Sequence, residues 1–464
     1  MFAAGSGYTT SGVFLLKSAA VKLICIAAAL TAVLCLYGCS RITAEDLYSL
    51  PQSSEQYMKL QGHINSLLNS GAEYAPPTGG PNKQSVQFFD LNGNGVDEVI
   101  AFFSFQGESA LKVYIFELTD GDYSVAGIIE GVGTAIESVR YVDMDGDGIM
   151  EIIVGWQMNA ALKHMSIYSI KDFHSVLLHD VDYTLVTVFD LDGDGNDNIV
   201  ALRLPTQDAP AVAEVFTLMQ DGEMVSSEAR LSNGIESITR VLTGKLINGT
   251  PAIFVESEGK FDDGSLVTDI CAYKDGDFTN ISCTSPGGIS EVTVRARISR
   301  IQSSDINKDG IIKVPMPRRL QAQSETEYYA IDWYAFDDTG AASLMLTTYH
   351  NDSDEWYLIL PFDWRGKVSV RREDAVSGER TVIFSYIAGA EGPYEDFLKI
   401  YKLYGDKGEA RANLPGRTLL VSEGAAVYAF ELLEEPNSFG LTFSAQLIKD
   451  NFRLIYSDWL AGTM

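Results

Sequence analysis

DMDGDGIME, residues Asp143–Glu151, is the stretch that decides how this chain is read. It lies between two apolar runs, SVRYV and IIVGW, and it recurs. DLNGNGVDE at Asp90–Glu98 lies between SVQFF and VIAFF, and DLDGDGNDN at Asp190–Asn198 lies between LVTVF and IVALR. Each copy has an oxygen-bearing side chain at its first, third and fifth places and glycine at its sixth. These are Asp90, Asn92 and Asn94 with Gly95; Asp143, Asp145 and Asp147 with Gly148; and Asp190, Asp192 and Asp194 with Gly195. Alternate residues of a tight loop can turn their oxygens onto one centre, and glycine lets the backbone bend without a side-chain clash. A hard cation needs such an oxygen set. Calcium is the expected ion, because magnesium demands stricter octahedral geometry and keeps more water.

The loops also punctuate a repeat. After each one comes a hairpin: KVYIFELTDGDYSVAGII, then HMSIYSIKDFHSVLLHD, then AEVFTLMQDGEMVSSEARL. Each unit therefore has about four short strands, and the loops start about 50 residues apart. Four-stranded units at this period predict an all-β chain, a β-propeller whose blades bury their faces against neighbouring blades. A degenerate copy without its acids falls near Gly244–Ala252. A fourth recognisable loop is DINKDGIIK at Asp305–Lys313, and a weaker echo is NDSDEWYLIL at Asn351–Leu360.

On these loops and this strand order, residues 85–361 resemble the FG-GAP/VCBS repeats of integrin-α-like propellers. The resemblance implies that the seventh residue gives its carbonyl (Val96, Ile149, Asn196) and the ninth its side chain (Glu98, Glu151, Asn198). An EF-hand loop opens with the same pattern but needs a ligand at the twelfth place and flanking helices. The twelfth residues here are Ala101, Val154 and Ala201, inside apolar strands. The loops are graded. Asp143–Glu151 has four carboxylates. Asp190–Asn198 ends in Asn198, with Asp197 beside it as a substitute. Asp90–Glu98 relies on two amides and should bind more weakly. Asp305–Lys313 ends in Lys313, whose ammonium can sit against Asp305 and Asp309 in place of an ion. The plainer alternative for any one loop is an Asx-rich turn that holds nothing.

The termini read differently. Residues 1–38 form a leader with only Lys17 and Lys22 charged, and an apolar run Leu23–Leu36. That run is short for a span of ~20 residues and suits a signal-peptide core. It ends in Leu36-Tyr37-Gly38-Cys39, which resembles the lipobox of bacterial lipoproteins. The resemblance implies lipidation of Cys39, attachment to the cell membrane and an extracytoplasmic body; an uncleaved anchor helix is the alternative. Residues 39–84 read as a tether, an amphipathic helix over Ser53–Asn69 and a Pro/Gly-rich linker, Glu73–Lys83. Residues 362–464 hold further strands and a predicted helix over Phe443–Leu460. They form either a last blade or, preferably, a small α+β cap.

The formal net charge of −29 argues against nucleic acid and anionic lipid surfaces as partners. Cys271 and Cys283 miss direct opposition across their hairpin and read as free thiols. The five histidines form no HExxH pair, and neither a GxSxG elbow nor a phosphate-cradling glycine loop is present. The tryptophans read mainly as packing residues, with Trp356–Trp364 the candidate contact surface. The expectation is a non-catalytic, calcium-stabilised module that binds an extracellular protein or glycan. A polysaccharide-active enzyme and a passive envelope assembly subunit are the alternatives.

Overall fold

The computed structural model describes residues 55–455, apart from 108–109, 172–174, 262–264, 286, 297–300, 322–324, 375 and 390–391. The leader, Cys39, His174 and Trp459 lie outside the described residues. The chain divides into a small unit, to which residues 55–66 and 120–123 belong, and a large unit holding the rest. The helix Glu55–Asn69, of which residues 55–66 belong to the small unit, buries Leu60 and Ile64, and Lys59 lies 4.0 Å from Asp122.

The large unit is all-β, a propeller of successive antiparallel sheets in chain order. Sheet 1 runs Val86–Phe89, Glu98–Ser104, Leu111–Thr119 and Asp122–Gly131. Sheet 2 runs Ala135–Val142, Glu151–Gln157, Lys163–Ser169 and Val176–Tyr183, and sheet 3 Leu185–Phe189, Asn198–Arg203, Val212–Leu218 and Met224–Arg230. Sheet 4 runs Ile235–Lys245, Pro251–Gly259, Ser265–Lys274 and Asp277–Asn280. Sheet 5 runs Val314–Arg319, Tyr329–Phe336, Ala342–Asn351 and Trp356–Leu360. Sheet 6 comprises Val368–Glu373, Glu379–Ile387, Tyr394–Tyr404, Ala426–Leu432 and Arg417–Glu423.

Successive side chains of a strand point to opposite faces, and here both faces are covered. In sheet 2, Ile152, Val154 and Trp156 pack with Ile100 and Phe102 of sheet 1. Their neighbour Ile153 packs the other way, with Ile199 and Ala201 of sheet 3. Val200 and Leu202 then meet Ile253 and Val255 of sheet 4. This is why the second strand of each unit reads as an unbroken apolar run rather than an alternation. Each such side chain contributes ~1.5–3 kcal/mol by leaving water. The stacking continues from sheet 4 to 5 through Phe254 and Val314, and from sheet 5 to 6 through Trp356, Leu358 and Phe384.

Several expectations need correction. The stretch Glu73–Lys83 is not a free linker. Glu73–Tyr74 pairs with Phe103 and Ser104, and Thr78 N–H and Gly79 N–H donate to the Ile136 and Glu137 carbonyls. The helix expected over Phe443–Leu460 spans only Ala445–Asn451. Phe452 turns extended, and Phe452–Leu454 adds to the edge of sheet 5 as a further strand. The contact surface expected at Trp356–Trp364 is buried, with Trp356, Tyr357, Leu358 and Trp364 inside and Phe362 exposed. The echo at Asn351–Leu360 is a tight hairpin in which Asn351 pairs with Trp356. Its Asp354 is buried against Arg380 at 2.8 Å. Residues 362–455 carry sheet 6, whose core is continuous with that of sheet 5.

Candidate metal centres

Each acidic loop joins the first two strands of its sheet, and the register fixes its length. Phe89 pairs with Glu98, Val142 with Glu151 and Phe189 with Asn198. The ninth residue thereby becomes the first of the second strand and is buried, while the apolar second residue (Leu91, Met144, Leu191) plugs the core beneath the loop. The degenerate copy lacks this geometry. Its ladder continues through Gly244–Ala252 to Lys245–Pro251, leaving only the five-residue turn 246–250.

In Asp143–Glu151 every acid is held by the loop backbone. Asp143 Oδ1 and Oδ2 accept from Gly146 N–H (2.8 Å) and Gly148 N–H (3.0 Å). Asp145 Oδ1 accepts from Asp147 N–H, Asp147 Oδ1 from Ile149 N–H, and Glu151 Oε2 from Met144 N–H at 3.1 Å. One oxygen each of Asp145, Asp147 and Glu151 is thus left over. Ligand atoms of Asp143, Asp145 and Glu151 lie within 4.8 Å of one another, as do those of Asp190, Asp192 and Asp194. A convergent, mostly anionic oxygen set of this size fits a calcium ion. The ion would be held by Asp143, Asp145 and Glu151; Asp147, expected as a ligand, is not part of that convergent group, and its Oδ2 faces Lys171.

Burial and neighbouring acids raise several of these carboxyl groups. The Glu151 carboxyl is pushed up to about 7, first by burial and then by the charges of Asp145, Asp147 and Asp143. Burial likewise raises Glu98, Asp145 and Asp192, each with a neighbouring acid adding to it. Lys171 reaches Asp147 at 3.7 Å from the solvent side, with most of its side chain exposed.

The other two loops share the backbone scaffold with poorer donors. In Asp90–Glu98, Asp90 accepts from Asn94 N–H and Gly95 N–H, and Asn94 Oδ1 from Val96 N–H. Asn92 Nδ2 donates to Glu98 Oε1 at 3.1 Å. In Asp190–Asn198, Asn198 Oδ1 accepts from Leu191 N–H at 2.8 Å, which leaves its NH2 facing Asp192 Oδ2 (3.2 Å) and Thr217 Oγ1 (3.0 Å). Asn198 therefore presents a donor where Glu151 presents an oxygen. Asn196 and Asp197 occupy the seventh and eighth places of this loop; burial and the Asp190 charge raise Asp197.

The three loops abut in series. Met150 N–H donates to the Leu91 carbonyl at 2.8 Å. Gly93, at φ 69°, sits where a Cβ would come within 2.5 Å of the Gly148 carbonyl oxygen, so the fourth place of that loop requires glycine. A Cβ on Gly146 would lie 2.6 Å from Asn196 Oδ1. Beside Asp143–Glu151 and Asp190–Asn198 (loops 2 and 3) opens a cavity of about 430 Å3, lined by Asp145, Asp194, Asn196, Thr217, Gln220 and Asp221 among others. Thr217 and Lys171 were invisible as site residues in the sequence, since both reach the loops from later strands or turns. The apolar second place, by contrast, recurs in every copy and could have been read.

Elsewhere, His164 sits between Asp182 (2.8 Å) and Asp180 (3.1 Å) on the outer strands of sheet 2, and His179 lies against Phe216. Cys271 and Cys283 are both free thiols, and burial pushes the Cys271 thiol well up.

Residues 90–154, which span the first two loops, match the family model described as FG-GAP-like repeat. No curated protein matches the chain. Among solved structures, Sqt1 of Saccharomyces cerevisiae is similar at 8% identity and a TM-score of 0.29, covering 75% of this chain and 98% of that one. The Dos1 propeller is similar at 9% identity and a TM-score of 0.26, covering 78% and 81%. A protein from Lactobacillus plantarum is similar at 10% identity and a TM-score of 0.25, covering 71% and 97%. Likenesses this loose say nothing about activity.

Proposed function

We propose that this chain is a membrane-anchored, extracytoplasmic lipoprotein whose propeller is stabilised by calcium and serves as a module that binds protein or glycan. The observation that carries the calcium part is the convergence of Asp143, Asp145 and Glu151 around one centre, with each acid clamped by backbone N–H groups. Left without a cation, these carboxylates repel one another by several kcal/mol. Calcium at the ~10⁻⁴–10⁻³ M affinities of extracellular modules removes that repulsion and ties the loop to its strands.

The binding role is supported by the cavity beside loops 2 and 3. Its polar lining is acceptor-rich, and hydroxyl groups of a sugar are donors that suit it. The lipid anchor rests on Leu36–Cys39 alone. Two measurements test the proposal. Thermal melts of the full chain in calcium and in chelator must differ, with the higher midpoint in calcium; coincident midpoints sink the calcium part. A glycan and protein array, run beside hydrolase assays on the same preparation, tests the binding part. Substrate turnover lost on replacing one carboxylate outside the loops would make the chain an enzyme instead.

A further inference from the structure

The loop Asp305–Lys313 reproduces three backbone hydrogen bonds of the Asp90–Glu98 scaffold. Asp305 Oδ1 and Oδ2 accept from Asp309 N–H (3.0 Å) and Gly310 N–H (2.7 Å), as Asp90 accepts from Asn94 and Gly95. Asp309 Oδ1 accepts from Ile311 N–H, as Asn94 Oδ1 does from Val96 N–H. Ser304 pairs with Lys313 in the register that Phe89 and Glu98 use. The ninth residue again lies fully buried, at 0% exposure, immediately before the strand Val314–Arg319, but it is a lysine.

Its ammonium lies at the loop centre. Lys313 Nζ donates to Asp305 Oδ1 at 3.4 Å, to the Ile311 carbonyl at 2.9 Å, and to Asn307 Oδ1 and Asp309 Oδ1. Those partners are the first, third, fifth and seventh residues, the places expected to hold an ion in the other loops. A wholly buried ammonium is tolerated only when paired and hydrogen-bonded, and four oxygens meet that need. The seam beside it is built like the seam between sheets 1 and 2. Ile312 N–H, at the eighth place, donates to the Lys245 carbonyl of sheet 4 at 3.2 Å, as Met150 N–H at the eighth place donates to Leu91.

We propose that Asp305–Lys313 is a cation site that carries its own cation. The tethered ammonium holds the seam between sheets 4 and 5, while a divalent ion holds those between sheets 1, 2 and 3. Calcium therefore governs the first half of the propeller and leaves the seam between sheets 4 and 5 alone. The contrast between halves rests on the calcium reading of the first three loops; the assignment of Lys313 does not.

Hydrogen exchange of the full chain in calcium and in chelator tests this. The amides of Gly146, Gly148, Ile149 and Met150 should lose protection in chelator, while those of Asp309, Gly310, Ile311 and Ile312 keep theirs. Loss of protection in both sets overturns the proposal. Unchanged protection in both sets removes the calcium reading but agrees with a self-contained Asp305–Lys313 loop. Lys313→Glu, folded by circular dichroism, should bind one more equivalent of calcium than the wild type in a calorimetric titration. An unchanged number of equivalents overturns the assignment. Should that variant not fold, exchange in the wild type decides alone.

Discussion

Glu151 is buried to 3% exposure with its carboxyl pushed up to about 7, so its charge opposes folding, whereas the proposed calcium site would use it. Glu151→Gln separates the two effects. An amide oxygen can still accept from Met144 N–H, so the cap survives while the charge goes. The melting midpoint in chelator should rise, and the gain on adding calcium should shrink. At tenfold excess over Kd one lost site removes about 1.4 kcal/mol. A variant that melts lower in chelator as well as in calcium would make Glu151 a packing residue. Asp309 is the counter-case at the same scale. Burial opposes its charge, but the Lys313 hydrogen bond, with those from Ile311 and Asn307, brings it down to about 2. His350 offers a second residue-level expectation. It is buried and stacked on Tyr357 at 4.9 Å, and burial pushes it down to about 3 from an ordinary 6.5. Between those values the unfolded chain binds a proton that the folded chain refuses, so stability falls on acidification, by up to ~1.4 kcal/mol per pH unit. His350→Phe should flatten the pH dependence by that one proton, as read from urea denaturation between pH 6.5 and 4.

The element at the chain's described end shows what periodicity cannot decide. Leu447, Phe452 and Ile455 fall at helical spacing, yet the helix stops at Asn451. Phe452 is held instead between Trp356 (ring centroids 5.6 Å) and Tyr428 (5.7 Å), and its strand occupies the open edge beside Trp356–Leu360. An edge offers unpaired backbone groups to any nearby chain, and that tertiary demand outweighed the helical pattern. Phe452→Ala should cost ~3–5 kcal/mol in chemical denaturation, far more than truncation of an exposed helical side chain. A loss under 1 kcal/mol would show that the strand is not docked. The same reasoning sorts the other elements. The acidic loops and their flanking strands were legible because their demands are local: alternate acids, a glycine, an apolar run. The orientation of the Asn198 amide, the lacing of Glu73–Lys83 onto sheets 1 and 2, and the burial of Trp356–Trp364 depend on partners outside the local pattern: Thr217 for Asn198, Ile136 and Glu137 for Thr78 and Gly79, and Phe452 and Thr442 for Trp356 and Trp364. At Gly244–Ala252 the acids are gone and the ladder runs on to Lys245–Pro251.

For the whole molecule, the repeat of about 50 residues made the architecture readable, because each sheet needs a neighbour on both faces and the chain supplies them in order. The charge acts at this scale too. At −29, the surface repels itself over distances that salt controls. The Debye length falls from about 30 Å at 0.01 M to about 8 Å at 0.15 M ionic strength. Long-range repulsion is therefore screened, whereas acids within 4.8 Å of one another in a loop are screened far less. Raising sodium chloride over that range should lift the melting midpoint in chelator and narrow, without closing, its gap to the midpoint in calcium. The residual gap is the share that belongs to the loops. If salt closes it completely, calcium acts as a diffuse counterion and the graded acidic loops hold no ion. If salt leaves both midpoints unmoved, surface charge is irrelevant to stability and the whole calcium response is local.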